Sequence, residues 1–169
     1  MRNPGIRARA CLLEVAMESS VFLDTGKGII AGIIGALALA LLMFAKDAIG
    51  LVPEVSLLAP LMKLAGTTSV LNGWIVFFVI NALIVGAVFA ALDAHLERPE
   101  GSEELVRGAL FGVGLWVLTM IFLMPMSGAG AFAMNYGVTA PAVLFAAQVI
   151  QGMVMGGVYG ALRPEPVPT

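Results

Sequence analysis

Four runs of about twenty residues, apolar and almost free of charge, constrain this chain more than any other feature; they cover about 28–49, 73–92, 108–124 and 141–162. A bilayer core about 30 Å thick is crossed by about 20 helical residues. The apolar residues come in blocks rather than in short alternating runs, so helices are expected. Composition agrees: 60 % of the 169 residues are apolar and 12 % charged, against roughly a quarter charged in soluble domains. The expected fold is all-α, a polytopic membrane protein with a four-transmembrane-helix bundle built from two helical hairpins. Asp93, His95, Glu97 and Arg98 end the second run, and Pro125 closes the third. Pro141, a favoured first-turn residue, opens the fourth, which Arg163-Pro164-Glu165-Pro166 stops.

An even number of spans puts both termini on one side, and the side richer in Lys and Arg over short loops is cytoplasmic. Arg2, Arg7, Arg9, Lys27, Arg98, Arg107 and Arg163 fall on the terminal side, Lys46 and Lys63 on the other. Seven bases against two predict cytoplasmic termini. The loop 127–139 carries no charge, as expected of a translocated face. Residues 1–26 read as a cytoplasmic segment in which Leu12, Leu13, Val15, Ala16 and Met17 form one face of a candidate interfacial helix, with Glu14 and Glu18 on its wet side. Those acids and Asp24 interrupt any signal-peptide core, so no cleavable signal is expected, and Met17 is a second candidate start. Residues 27–163 form the transmembrane domain and 164–169 a cytoplasmic tail. Between the first two spans, Pro53, Pro60 and Gly66 break the pattern. A short helix in the outer interface is expected there, with Lys63 and Glu54 toward water; a shallow re-entrant turn is the alternative.

Lipid offers little hydrophobic drive between helices, so small residues that let backbones approach must carry association, and four-residue spacing puts them on one face. Rows of this kind recur: Gly28, Gly32, Ala36 and Ala40; Ala82, Gly86, Ala90 and Ala94; Gly108 and Gly112; Gly152, Gly156 and Gly160. Lys27-Gly28 with Gly32 corresponds to Arg107-Gly108 with Gly112, and the run from Gly86 resembles the run from Gly152, which suggests two related hairpins.

Ionisable residues inside a membrane are the default functional candidates, and here they are scarce. Lys46 and Asp47 sit at the outer end of the first span and read as an interfacial anchor, two adjacent side chains that do not face each other. His95 is the sole histidine and Cys11 the sole cysteine, which leaves no multi-histidine metal or haem site within the chain and no intrachain disulfide. No phosphate loop, nucleophile–base set or pair of membrane carboxylates is found. The net charge of −2 offers no basic patch. The expectation is therefore no catalytic residue, no metal site, no cofactor and no nucleic-acid partner. The neutral polar candidates within the spans are Asn81, Gln148 and Gln151, with Thr119 and Tyr159. Asn81 and Gln148 lie at similar depth and are expected to pair, either as an interhelical hydrogen bond or as ligand contacts in a small cavity. Gln148 extends its glycine row, whereas Asn81 lies about 100° from the Ala82-Gly86-Ala90 row.

Several runs carry a family likeness: Gly28-Ile-Ile-Ala-Gly32, Leu51-Val-Pro-Glu54, Gly73-Trp74, Met124-Pro-Met-Ser-Gly-Ala-Gly130, Ala140-Pro141 and Gly156-Gly-Val-Tyr-Gly160. Together they resemble a family of small four-helix bacterial inner-membrane proteins of unknown function, over about residues 27–162. The resemblance implies a bacterial inner (plasma) membrane location. Relatives often carry a histidine shortly after the Gly-Trp pair and another in the fourth helix; Phe77 and Gln148 stand at the matching positions here. The leading expectation is a non-catalytic accessory or structural subunit docking on a larger membrane complex, of respiratory or photosynthetic type, with lipids and other membrane subunits or itself as partners. A small transporter or channel acting as a homo-oligomer is the alternative.

Overall fold

The structure is a computed structural model that describes residues 4–96 and 103–163, with side chains from residue 23 onward in those ranges. The elements are α1 (Pro4–Ala48), α2 (Leu58–Leu64), α3 (Val70–Ala94), α4 (Glu103–Ser127), a 3-10 turn (Ala131–Tyr136) and α5 (Thr139–Ala161). No strand occurs among the described residues. Four helices are long and apolar enough to cross a membrane: α1 from Leu23, then α3, α4 and α5.

α1 runs from Pro4 into its span without a break, so the backbone of the N-terminal segment shares one helix with the span. The side chains expected to make its amphipathic face, together with Arg2, Arg98 and the tail 164–169, lie outside the described residues. α3 starts at Val70, earlier than its apolar run suggested, because Ser69 caps it: its Oγ accepts the Asn72 N–H at 3.5 Å. α4 corrects the expectation that Pro125 closes the third span, since the helix continues to Ser127. The stretch Thr119–Leu123, just before Met124 and Pro125, is π-helical. A proline lacks the N–H for the i−4 carbonyl and collides with that carbonyl. A widened turn immediately upstream relieves both problems without ending the helix. Gly128, with φ +89°, then terminates it.

α1 and α5 pack on each other, and each holds its hairpin partner, α3 on α1 and α4 on α5. The glycine rows make those hairpins. A Cβ at Gly28 would strike the Gly86 carbonyl and come within 2.7 Å of the Ala90 Cβ; one at Gly32 would strike the Asn81 carbonyl. In the second hairpin a Cβ at Gly108 would strike the Gly152 carbonyl and lie 3.0 Å from the Gly156 Cα, and one at Gly112 would strike the Gln148 carbonyl. Gly28, Gly32, Gly86, Gly108, Gly112, Gly152 and Gly156 thus stand backbone to backbone. Gly160 differs, since the Glu104 side chain occupies the space beside it. α3 and α4 meet through larger groups, Phe89 and Phe111 with ring centroids 5.1 Å apart.

The two ends of the bundle are built differently. At one, α2 and the 3-10 turn close over the core: Val55, Leu57, Leu61, Ala129 and Ala133 join Phe77, Met120, Met124 and Leu144 in one buried cluster. Glu54 and Lys63 are exposed on this cap. Lys63 Nζ donates to the Met126 carbonyl at 3.2 Å, tying α2 to the end of α4. Trp116 Nε1 donates to the Pro141 carbonyl at 2.9 Å, which pins the start of α5. Lys46 departs from the expected snorkelling anchor: it is 4 % exposed, ion-paired with Asp47 and hydrogen-bonded to the Val52 carbonyl at 3.2 Å. The chain folds back through Gly50 (φ +70°) and Val52 (φ +46°), carrying a carbonyl over the ammonium and shutting it from solvent.

Candidate functional site

The polar side chains expected inside the spans converge at mid-bundle, with partners other than those inferred from depth alone. Asn81 is 7 % exposed, Thr119 7 %, Gln148 4 % and Gln151 1 %. Gln151 Nε2 donates to Asn81 Oδ1 at 2.7 Å, and Asn81 Nδ2 donates to the Phe77 carbonyl at 2.8 Å. Gln148 Nε2 donates to Thr119 Oγ1 at 2.8 Å. The expected Asn81–Gln148 bond is therefore corrected: Asn81 takes the amide one turn further along α5, and Gln148 turns to α4. Gln148 and Gln151 are three positions apart, so they share a face of α5, and from it each reaches a different neighbouring helix.

Both neighbours are π-helical at the point of contact. Asn81 lies in the π stretch Ile80–Val85 of α3, where the Gly86 N–H bonds to the Asn81 carbonyl five residues back. Thr119 opens the π stretch of α4. A widened turn changes the angle between successive side chains, which is how Asn81 and Ala82 both come to be buried although ideal α geometry sets them about 100° apart. Pro125 is a sequence signal for the α4 stretch. For the α3 stretch the sequence holds no proline; what the structure shows there is Gly32 pressed against the Asn81 carbonyl.

A second polar group lies at the terminal end, at the span boundaries and outside the apolar runs. Asp93, 5 % exposed, pairs with Arg107 at 3.3 Å and with Arg163. These ties join the ends of α3, α4 and α5. Arg163 also lies over the Tyr159 ring, 5.0 Å from its centroid. Burial lowers the pKa of the Arg163 guanidinium from its usual value, and the Asp24 carboxylate opposes that shift. The sequence signal was available, since Asp93, Arg107 and Arg163 all fall at span boundaries on one side. His95 is exposed, its Nδ1 donating to the Ala91 carbonyl at 2.7 Å. Among the described residues no group of three or more His, Cys, Asp or Glu is placed to hold a metal.

Chemically, the mid-bundle band can donate and accept hydrogen bonds at fixed positions. Its groups are neutral amides and one hydroxyl, and their ordinary pKa ranges offer no proton acceptor near neutrality. No curated protein and no solved structure matches the chain. Residues 23–169, the four spans included, match a family of unknown function, DUF6789, and the chain belongs to that family.

Proposed function

We propose that the protein is a non-catalytic integral membrane subunit, a rigid four-helix element that docks on a larger membrane assembly in a bacterial inner membrane, with both termini cytoplasmic. The observation that supports it most is how the polar groups within the spans are spent. Asn81, Thr119, Gln148 and Gln151 bond across α3, α4 and α5, and the glycine rows interlock backbone to backbone. A carrier must offer such groups to its cargo and let its helices separate; here the same groups bind helix to helix. The lipid-facing surface is rich in large apolar side chains such as Leu37, Leu41, Leu110, Leu118 and Phe122, a surface suited to lipid and to apolar helices of a partner. Respiratory and photosynthetic assemblies are the settings to examine first.

The test is purification of the tagged protein from its native membranes in mild detergent, with partners identified by mass spectrometry. Recovery of a membrane protein at fixed stoichiometry is the expected outcome. Recovery of this chain alone would argue against the subunit reading. The π stretches favour one alternative, a homo-oligomeric transporter or channel, because such turns recur at functional sites and are places where a helix bends. Solute flux into proteoliposomes holding this chain alone would support it.

A further inference from the structure

Gln151 makes one bond too few. Its side chain is among the most deeply buried in the molecule, 1 % exposed, and its Oε1 has no hydrogen-bond partner among the described residues. The network dictates which end of the amide is left over. The Phe77 carbonyl can only accept, so Asn81 must present Nδ2 to it and turn Oδ1 the other way. Oδ1 likewise can only accept, so Gln151 must present Nε2 there. Its carbonyl oxygen is thereby committed to the opposite side, and rotating either amide would set acceptor against acceptor. A buried acceptor in a low-dielectric interior demands a donor, and more so in a bilayer, where solvent cannot supply one.

We propose that Gln151 Oε1 is the anchor of a bound water enclosed at mid-bundle, a site formed where α3, α4 and α5 bring their polar residues together. The occupant must donate and must be small, since neighbouring α1 packs tightly here: a Cβ at Gly35 would strike the Met155 side chain and lie 3.4 Å from the Gln151 backbone carbonyl. Water fits both demands and supplies a second donor. Gln148 stands three positions before Gln151 on the same face of α5, and its Nε2 is already committed to Thr119, so its amide oxygen is left to accept. Its amide oxygen is the natural second partner. The water then joins the Asn81–Gln151 bond to the Gln148–Thr119 bond, making one hydrogen-bonded chain from the Phe77 carbonyl to Thr119. This proposal is independent of the subunit reading, because a transporter with the same band would hold the same water.

Gln148 and Gln151 are the only glutamines in the chain, so labelling glutamine alone isolates the two side chains. Protein labelled with ¹³C,¹⁵N-glutamine and reconstituted in lipid bilayers gives two side-chain Cδ signals in solid-state NMR. A Gln148→Met variant assigns them. Magnetisation transfer from water to each Cδ is then measured at short mixing times, with and without exchange into D2O. The expected result is strong transfer to the Gln151 Cδ from a water that exchanges at least ten times more slowly than surface water. Absence of transfer at Gln151 would overturn the site. Transfer from water exchanging as fast as bulk would also overturn it, because the band would then be open to solvent. In Gln151→Met protein whose backbone spectrum shows it folded, slow-water transfer to the remaining Gln148 Cδ should be lost; its persistence there would mean that Gln148, and not Gln151, anchors the water.

Discussion

The band at mid-bundle turns on which amide meets which, and that pairing is measurable. A hydrogen bond between side chains inside a membrane protein is worth about 0.6 kcal/mol on average and up to about 1.7, so Asn81 and Gln151 should couple by about 1 kcal/mol. A double-mutant cycle with Asn81→Val and Gln151→Leu, read by reversible unfolding in mixed micelles, should recover that value. The cycle of Asn81 with Gln148 should give a much smaller one, no direct bond joining them. Coupling in the second cycle as large as in the first would contradict the pairing. The sequence made the members of this band legible, because neutral polar residues are conspicuous within apolar runs. Depth was legible too, from residue counts along each helix. The partner was not, since rotation about the axis decides it and the α3 π stretch alters that rotation with no proline to announce it. Lys46 departs from the anchor role that its position suggests for a related reason. Two adjacent helical residues diverge, but the loop through Gly50 and Val52 brings a carbonyl over the lysine, and nothing in the spacing specifies where a loop returns.

Helix pairing rests on absent side chains, and substitutions there should separate sharply by face. Leu at Gly156 would drive into the Glu104 carbonyl and the Gly108 Cα, forcing α4 from α5; overpacking of a close contact typically costs about 1–3 kcal/mol or more. Met153, three residues earlier, is exposed, and Met153→Leu should change stability by less than about 0.5 kcal/mol. Comparable losses of folded protein in both variants, judged by size-exclusion profiles after extraction, would refute this contact face. The proline at 125 carries a separate expectation. Without its ring, Thr119–Leu123 can tighten toward α geometry, swinging Thr119 relative to Gln148. In a Pro125→Ala background the coupling between those two should fall by half or more; an unchanged value would mean that packing, and not the proline, holds the π stretch. Span positions were legible from the apolar runs, but their ends were not. α3 is lengthened by the Ser69 cap and α4 by its continuation through Pro125, both local hydrogen-bonding effects that hydropathy does not record.

The whole molecule is two hairpins in one register. Gly28 meets Gly86 and Ala90, as Gly108 meets Gly152 and Gly156, the correspondence suggested by Lys27-Gly28 and Arg107-Gly108 in the sequence. The start of the first span at Leu23 and the end of α5 at Ala161 consequently lie at the end where Asp93 ties Arg107 to Arg163, and the cap of α2 and the 3-10 turn lies at the other. Which end faces the cytoplasm is a matter of charge. Lys and Arg resist translocation, and orientation follows their bias across short loops. The terminal side holds seven of the nine bases, while the segment 127–139, buttressed by Asn135 donating to the Gly128 carbonyl at 3.0 Å, holds none. Alkaline phosphatase, which folds only after export, should therefore be active when fused after Asn135 and inactive when fused after Thr169; a fluorescent protein that folds only in the cytoplasm should give the reverse. Because the bias is spread over several loops, single neutral substitutions of Arg107 or Arg163 should weaken the terminal ion pairs without inverting the protein. Inversion should require moving charge across: lysines added within 127–139 together with neutralised Lys27 and Arg107. A terminal fusion active in the periplasm in the unaltered protein would reverse the orientation, and the cap would then face the cytoplasm.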